Sequence, residues 1–194
     1  IFSNCSSLTN ITVDANNAKY SSDELGVLYN KDKTTLIQYP EGNTATRYEI
    51  PSSVINIGVG AFFHCNSLTS VTIPESVTSI GNSVFSGCSS LAMVTIPEGI
   101  TSIGNSAFFG CNSLASVTIP MSVKSIDDSA FSYCRSLTSV IIPKGLTSIG
   151  WSAFSNCSSL TSVAIPPSVS SIGWFVFSYC SSLTSVTIPK GVTS

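Results

Sequence analysis

Charge is the first thing this sequence has little of. Asp, Glu, Lys and Arg together make up 9% of the 194 residues, against roughly 25% in an average globular domain. The 8 Lys and Arg are scattered and the formal net charge is −2. No phosphate-tracking basic surface, and hence no nucleic-acid partner, is expected. Only 1 histidine occurs and no Cys-x-x-Cys spacing is present, which removes the usual zinc ligand sets. His-Glu-x-x-His, a phosphate loop and Gly-x-Ser-x-Gly are missing as well, so neither a metal, a cofactor nor an enzyme is expected. No uninterrupted apolar run approaches the ~18 residues of a membrane span. Neither end carries a signal peptide, and the chain opens at Ile1 without a Met, so the expectation is a piece of a longer protein.

What is present is repetition. Apolar residues reach 43% of the chain, too many for a disordered composition. Cysteines at 65, 88, 111, 134, 157 and 180 are each 23 residues apart, and prolines from Pro51 to Pro189 keep the same step. A fixed period of this size predicts a solenoid, because one such unit cannot bury its apolar face alone. Ser70 to Ile73 reads Ser-Val-Thr-Ile, an alternation of period two that predicts a strand with Val71 and Ile73 inward. Pro74 ends that strand, having no N–H for a ladder. Val77 and Ile80 predict a second, shorter strand. Gly81 and its counterparts are expected at positive φ. Ala107, Phe108, Cys111 and Leu114 are spaced for about one helical turn.

The whole pattern, Cys-x-Ser-Leu-x-x-Val-x-Ile-Pro-x-x-Val-x-x-Ile-Gly-x-x-Ala-Phe-x-x-Cys, resembles the BspA-like leucine-rich repeats of bacterial and some protist surface proteins. The resemblance covers residues 51–194 almost completely and residues 1–13 in part. It implies a leucine-rich-repeat solenoid: a β-dominated α/β fold with a parallel strand face, short second strands and single helical turns. A right-handed β-helix is the structural alternative. The resemblance further implies a cell-surface or secreted, non-catalytic adhesion module whose partner is an extracellular protein of a host, a matrix or a neighbouring cell. A passive spacer displaying another domain is the alternative function.

Residues 1–194 read as one solenoid, with an interruption over 14–50. Val13 is followed by Asp14 where the repeat has Pro, and the stretch holds more than half of the charged residues. Gly26–Tyr29 and Thr35–Tyr39 flank Asn30-Lys31-Asp32-Lys33, which predicts a β-hairpin. The hairpin is expected to protrude from an oversized coil. Both termini stop in mid-repeat without polar caps, so end-to-end self-association is a further expectation.

Three features invite chemistry and are read as structural. The cysteine column points one way on parallel coils, a poor geometry for disulfides, and is expected to pack as buried thiols. His64 beside Cys65 lacks the third group that would orient a thiol-activating base. Asp127-Asp128 offers too few oxygens for calcium.

The outward columns carry the binding candidates. On the strand face these are Ser70, Met93, Ser116 and Ser139 in one column and Thr72, Thr95, Thr118 and Ile141 in the next, small and nearly uncharged. The column after the glycine runs Val59, Asn82, Asn105, Asp128, Trp151, Trp174, with Phe175 following. Tyr133 and Tyr179 stand two places after the core Phe. Aromatics at such non-core positions predict a protein interface over Trp151, Trp174, Phe175, Tyr133 and Tyr179.

Overall fold

The computed structural model describes residue 2 and residues 4–193. Fifteen short strands follow one another: β1 (Tyr20–Ser22), β2 (Leu28–Asn30), β3 (Thr35–Gln38), β4 (Arg47–Glu49), β5 (Asn56–Ile57), β6 (Ser70–Thr72), β7 (Met93–Thr95), β8 (Ser102–Ile103), β9 (Ser116–Thr118), β10 (Ser125–Ile126), β11 (Ser139–Ile141), β12 (Ser148–Ile149), β13 (Ser162–Ala164), β14 (Ser171–Ile172) and β15 (Ser185–Thr187). Most regular coils contribute a three-residue strand to one parallel face and a two-residue strand to a second. In the coil of β6 the strand expected at Val77 and Ile80 is reduced to a single bridge, Ile80 to Ile103. On the first face β4, β6 and β7 pair in order, and so do β9, β11, β13 and β15. On the second, β8, β10, β12 and β14 pair. The register is the repeat itself, with Ser116 opposite Ser139 and Val117 opposite Val140. This is a leucine-rich-repeat solenoid.

Proline turns the chain between the two strands of a coil. Its carbonyl accepts the amide three residues on, as in Val77 N to Pro74 O at 3.1 Å and Ile100 N to Pro97 O at 3.2 Å. Inward residues make one continuous core. The rings of Phe62, Phe85, Phe108, Phe131 and Phe154 are fully buried and stack with centroids 5.0 to 5.3 Å apart. That spacing is close to the distance between neighbouring strands, so one side chain type fits every coil.

Two local expectations are corrected. The predicted helical turns do not form, and no helix exists among the described residues. Between Ala107 and Cys111 the amides alternate instead. Ala107, Phe109 and Cys111 bond three residues back within the coil, while Phe108 donates to Ala130 O at 2.7 Å and Gly110 to Ser132 O at 2.8 Å on the next coil. A helix would turn all these amides inward along its own axis and leave none to join the coils. The positive φ values also lie elsewhere than at Gly81 and its counterparts. They fall on the column of Gly60, Ser83, Ser106, Ser129, Ser152 and Phe175, and on that of His64, Gly87, Gly110, Tyr133, Asn156 and Tyr179. At Gly104, Gly150 and Gly173 glycine is required by close approach, whereas Gly81 has room for a Cβ and Asp127 takes the same place after Ile126. A Cβ on Gly173 would sit 2.5 Å from Trp151 N, and one on Gly104 would sit 2.8 Å from the Gly81 carbonyl carbon.

The irregular segment is docked against the solenoid. β1, β2 and β3 form an antiparallel meander, and β3 pairs in parallel with β5, Leu36 opposite Ile57. Val27, Tyr29, Leu36 and Tyr39 are fully buried, so the hairpin lies on the first coil and does not stand off it. Asp23 pins it: its carboxylate accepts from Tyr29 Oη at 3.0 Å, Tyr48 Oη at 2.9 Å and the amide of Val27 at 2.8 Å. Burial, with Asp23 nearby, pushes both phenols above their ordinary pKa. Arg47–Glu49 already lie in register with Ser70–Thr72, so the regular strand column begins before residue 50.

Candidate binding surface

The cysteine column is chemically quiet. Five of its thiols donate to the phenylalanine carbonyl of the preceding coil, as in Cys111 Sγ to Phe85 O and Cys134 Sγ to Phe108 O at 3.2 Å. These carbonyls face the interior, and a thiol supplies a weak donor in the volume of a small hydrophobe. No disulfide forms among them. Burial pushes Cys88 and Cys157 up to about 12 and raises Cys111 and Cys134 well above the ordinary thiol value. Cys65, beside His64, has its pKa raised by burial too, and its sulfur faces the carbonyls of Tyr39 and Phe63. That is the reverse of an activated thiolate.

Asp128 belongs to a structural ladder. The Oδ1 atoms of Asn82, Asn105 and Asp128 each accept the amide of the next coil's residue in the same column, Asn105, Asp128 and Trp151, at 3.0, 3.0 and 2.7 Å. This explains why the column is polar at first. It then changes character: Trp151 and Trp174 have no such acceptor to offer.

The aromatic side chains are exposed: Trp151 by 59%, Trp174 by 70%, Phe175 by 65%, Tyr179 by 78% and Tyr133 by 36%. The structure brings three of them together. The indoles of Trp151 and Trp174 stack with centroids 6.2 Å apart, and the Phe175 ring meets Trp174 edge-on at 6.4 Å. Tyr133 forms a separate pair with Phe109 at 5.2 Å, under the Arg135 guanidinium at 5.6 Å. Tyr179 lies in Tyr133's column two coils on, with Asn156 between them. Phe109 and Arg135 join this pair without being among the sequence candidates, because each stands in a column with Ser or Asn on the neighbouring coils.

Backbone geometry adds what side-chain exposure does not. Tyr133, Phe175 and Tyr179 have φ of 61°, 62° and 59°. Bulky residues seldom occupy this left-handed region, and holding one there costs on the order of 1–3 kcal/mol. Gly, Ser or Asn fill most of the equivalent positions on other coils. The signal was available in sequence: a column containing Gly87, Gly110 and Asn156 already reads as left-handed.

The strand face offers less. Met93 and Ile141 are exposed among small hydroxyl residues. The threonines at its margin use their hydroxyls internally, as in Thr69 Oγ1 to Thr46 O at 2.9 Å and Thr161 Oγ1 to Thr138 O at 3.3 Å.

Comparison with known proteins adds the family. No curated protein sequence matches the chain. Among solved structures, a leucine-rich repeat protein from Bacteroides ovatus is 28% identical with a TM-score of 0.76, over 93% of this chain and 54% of its own. One from Eubacterium ventriosum is 30% identical with a TM-score of 0.75, over 97% of this chain and 56% of its own. A leucine-rich cell surface protein from Faecalibacterium prausnitzii is 31% identical with a TM-score of 0.63, over 90% of this chain and 55% of its own. The chain thus spans a little over half the length of these relatives. The pattern of the BspA type leucine-rich repeat region matches 6 copies over residues 38–134 and 102–194. The chain belongs to the BspA-type leucine-rich repeat family.

Proposed function

We propose that the chain is a non-catalytic protein-binding module of a cell-surface or secreted protein. Its partner is an extracellular protein of a host, a matrix or a neighbouring cell, held at the aromatic corner of Trp151, Trp174 and Phe175, with Tyr133 and Tyr179 along the same series of coils. One observation carries the reading. Phe175 and Tyr179 sit in left-handed backbone positions and remain largely exposed, so they lower stability without burying themselves, and the indoles of Trp151 and Trp174 beside Phe175 are exposed as well. Trp, Tyr and Arg are the residues that dominate binding at interfaces when a partner desolvates them. The surface location rests on the family and on the relative described as a cell surface protein.

The test is surface-plasmon binding of the chain to a panel of matrix and plasma proteins beside the Trp151→Ala/Trp174→Ala variant. Saturable binding weakened at least about 30-fold in the variant, roughly 2 kcal/mol, supports the aromatic corner. Binding that survives moves the site to the strand face around Met93 and Ile141 or to the segment over 14–50. Absence of binding to every protein favours the spacer. End-to-end self-association through β15, whose residues are exposed, is read separately by sedimentation at rising concentration.

A further inference from the structure

The strand face is not continuous. β7 and β9 are sequential on it, yet they belong to different sheets, with no ladder pairing between them. Val94 of β7 is half-buried, whereas its counterparts Val71, Val117, Val140 and Val163 are buried. A cavity of about 320 Å³ opens at the gap, lined by Met93, Val94, Thr95, Ser116, Thr118 and Pro120 among others. The same two coils stay joined elsewhere. β8 pairs with β10, Phe108 N reaches Ala130 O at 2.7 Å, and the Phe108 and Phe131 rings stack at 5.1 Å.

A sequence difference coincides with the gap. The residue just before each strand of this face runs Thr46, Thr69, Ala92, Ala115, Thr138, Thr161, Thr184. Each threonine from Thr69 on places its hydroxyl on the carbonyl one coil earlier, and Thr138 does so onto Ala115 O at 3.1 Å. Its own amide bonds the same carbonyl at 3.0 Å, and the Ala92 amide likewise reaches Thr69 O at 2.9 Å. Between Ala92 and Ala115 neither bond is present among the described residues. Ala92 and Ala115 both lack a hydroxyl for the carbonyl one coil earlier. Ala92 nevertheless keeps the amide bond and β7 its pairing with β6, whereas Ala115 makes neither bond to Ala92.

We infer that the β7–β9 gap is a hinge. The solenoid consists of two stiff blocks, one ending at β7 and one beginning at β9. They are joined through the second sheet and the phenylalanine stack, and are free to open and close on the strand face. Strand edges whose main-chain groups are unpaired are where local opening is least costly. The docked segment over 14–46 rides on the first block and Trp151, Trp174 and Phe175 on the second, so the hinge sets their relative placement.

Hydrogen exchange by NMR on three forms tests this: the unaltered chain, Ala115→Thr and Thr138→Ala. In the unaltered chain the β9 amides facing β7 exchange at least about tenfold faster than the corresponding amides of β11 and β13, as expected for a missing hydrogen-bonded clamp. Ala115→Thr restores the clamp and slows them by a similar factor. Thr138→Ala, at an exposed position that leaves the core intact, speeds exchange between β9 and β11. Equal protection of β9 and β11 in the unaltered chain overturns the hinge. So does an Ala115→Thr form that folds with unchanged circular dichroism and unchanged β9 exchange. Spin labels at Ser70 and Ser139 give an independent reading. A broad distance distribution that narrows in Ala115→Thr supports the hinge, and an equally narrow one in both forms overturns it.

Discussion

Phe154 and Phe175 lie on successive coils and put the same side chain to opposite use. Phe154 is fully buried, stacked 5.3 Å from Phe131, at a position where every regular coil has Phe. Phe175 is mostly exposed, held at φ 62°, at a position where the other coils have Ser or Gly. The interior demands sameness because each ring must meet an identical ring above and below. The outer corner makes no such demand, so a departure from the repeat there reflects something other than packing. In a solenoid, invariance between coils marks structure and departure marks the candidate for function.

The comparison breaks most readily in the interior. Phe108→Ala removes a fully buried ring from mid-stack and is expected to lower stability by about 3–5 kcal/mol in urea unfolding. A loss below about 1 kcal/mol would mean the stack does not hold the coils together. The cysteine column predicts a pH dependence. A folded thiol keeps its proton where an unfolded one has lost it, so unfolding releases protons and stability falls as pH rises. The decline begins near pH 9 and runs towards about 12 for Cys88 and Cys157, at up to about 1.4 kcal/mol per pH unit for each thiol. Urea midpoints from pH 7 to 10.5 check it, with a Cys134→Ala form expected to show a shallower fall.

Smaller effects sharpen the contrast. Tyr48→Phe removes one of the two phenols on Asp23 and is expected to lose about 1–2 kcal/mol, with faster hydrogen exchange confined to residues 23–30. A uniform change across β9 to β15 would contradict a local clasp. Phe175→Gly relieves the left-handed strain and is expected to raise stability by about 1 kcal/mol, while weakening partner binding. Destabilisation as large as that of Phe154→Ala would erase the distinction between the two phenylalanines.

Much of this was legible in the residues. The 23-residue step, the inward columns of Leu, Val, Ile, Phe and Cys, and the burial of the thiols from Cys65 to Cys157 all follow from spacing and polarity, while Cys180 on the last coil is only half-buried. The exposure of Trp151 and Trp174 agrees with their place in an outer column that holds Asn82, Asn105 and Asp128 on the preceding coils. The expected helical turn fails to form for an identifiable reason. Ala107, Phe108, Cys111 and Leu114 have spacings that suit either one helical turn or a run of β-turns. The choice is made by Phe108 N and Gly110 N, whose acceptors lie on the next coil.

By itself the sequence determined the period, the core columns and the class of fold, because those depend only on which residues recur and which are apolar. Tertiary structure decided which residues sit at positive φ, where the irregular hairpin docks, and where the strand face parts. Each of these depends on a hydrogen bond or contact with a group about one coil away. The sequence contains Ala92 and Ala115, but only the stacked coils reveal that the threonines in their column reach the carbonyl one coil earlier.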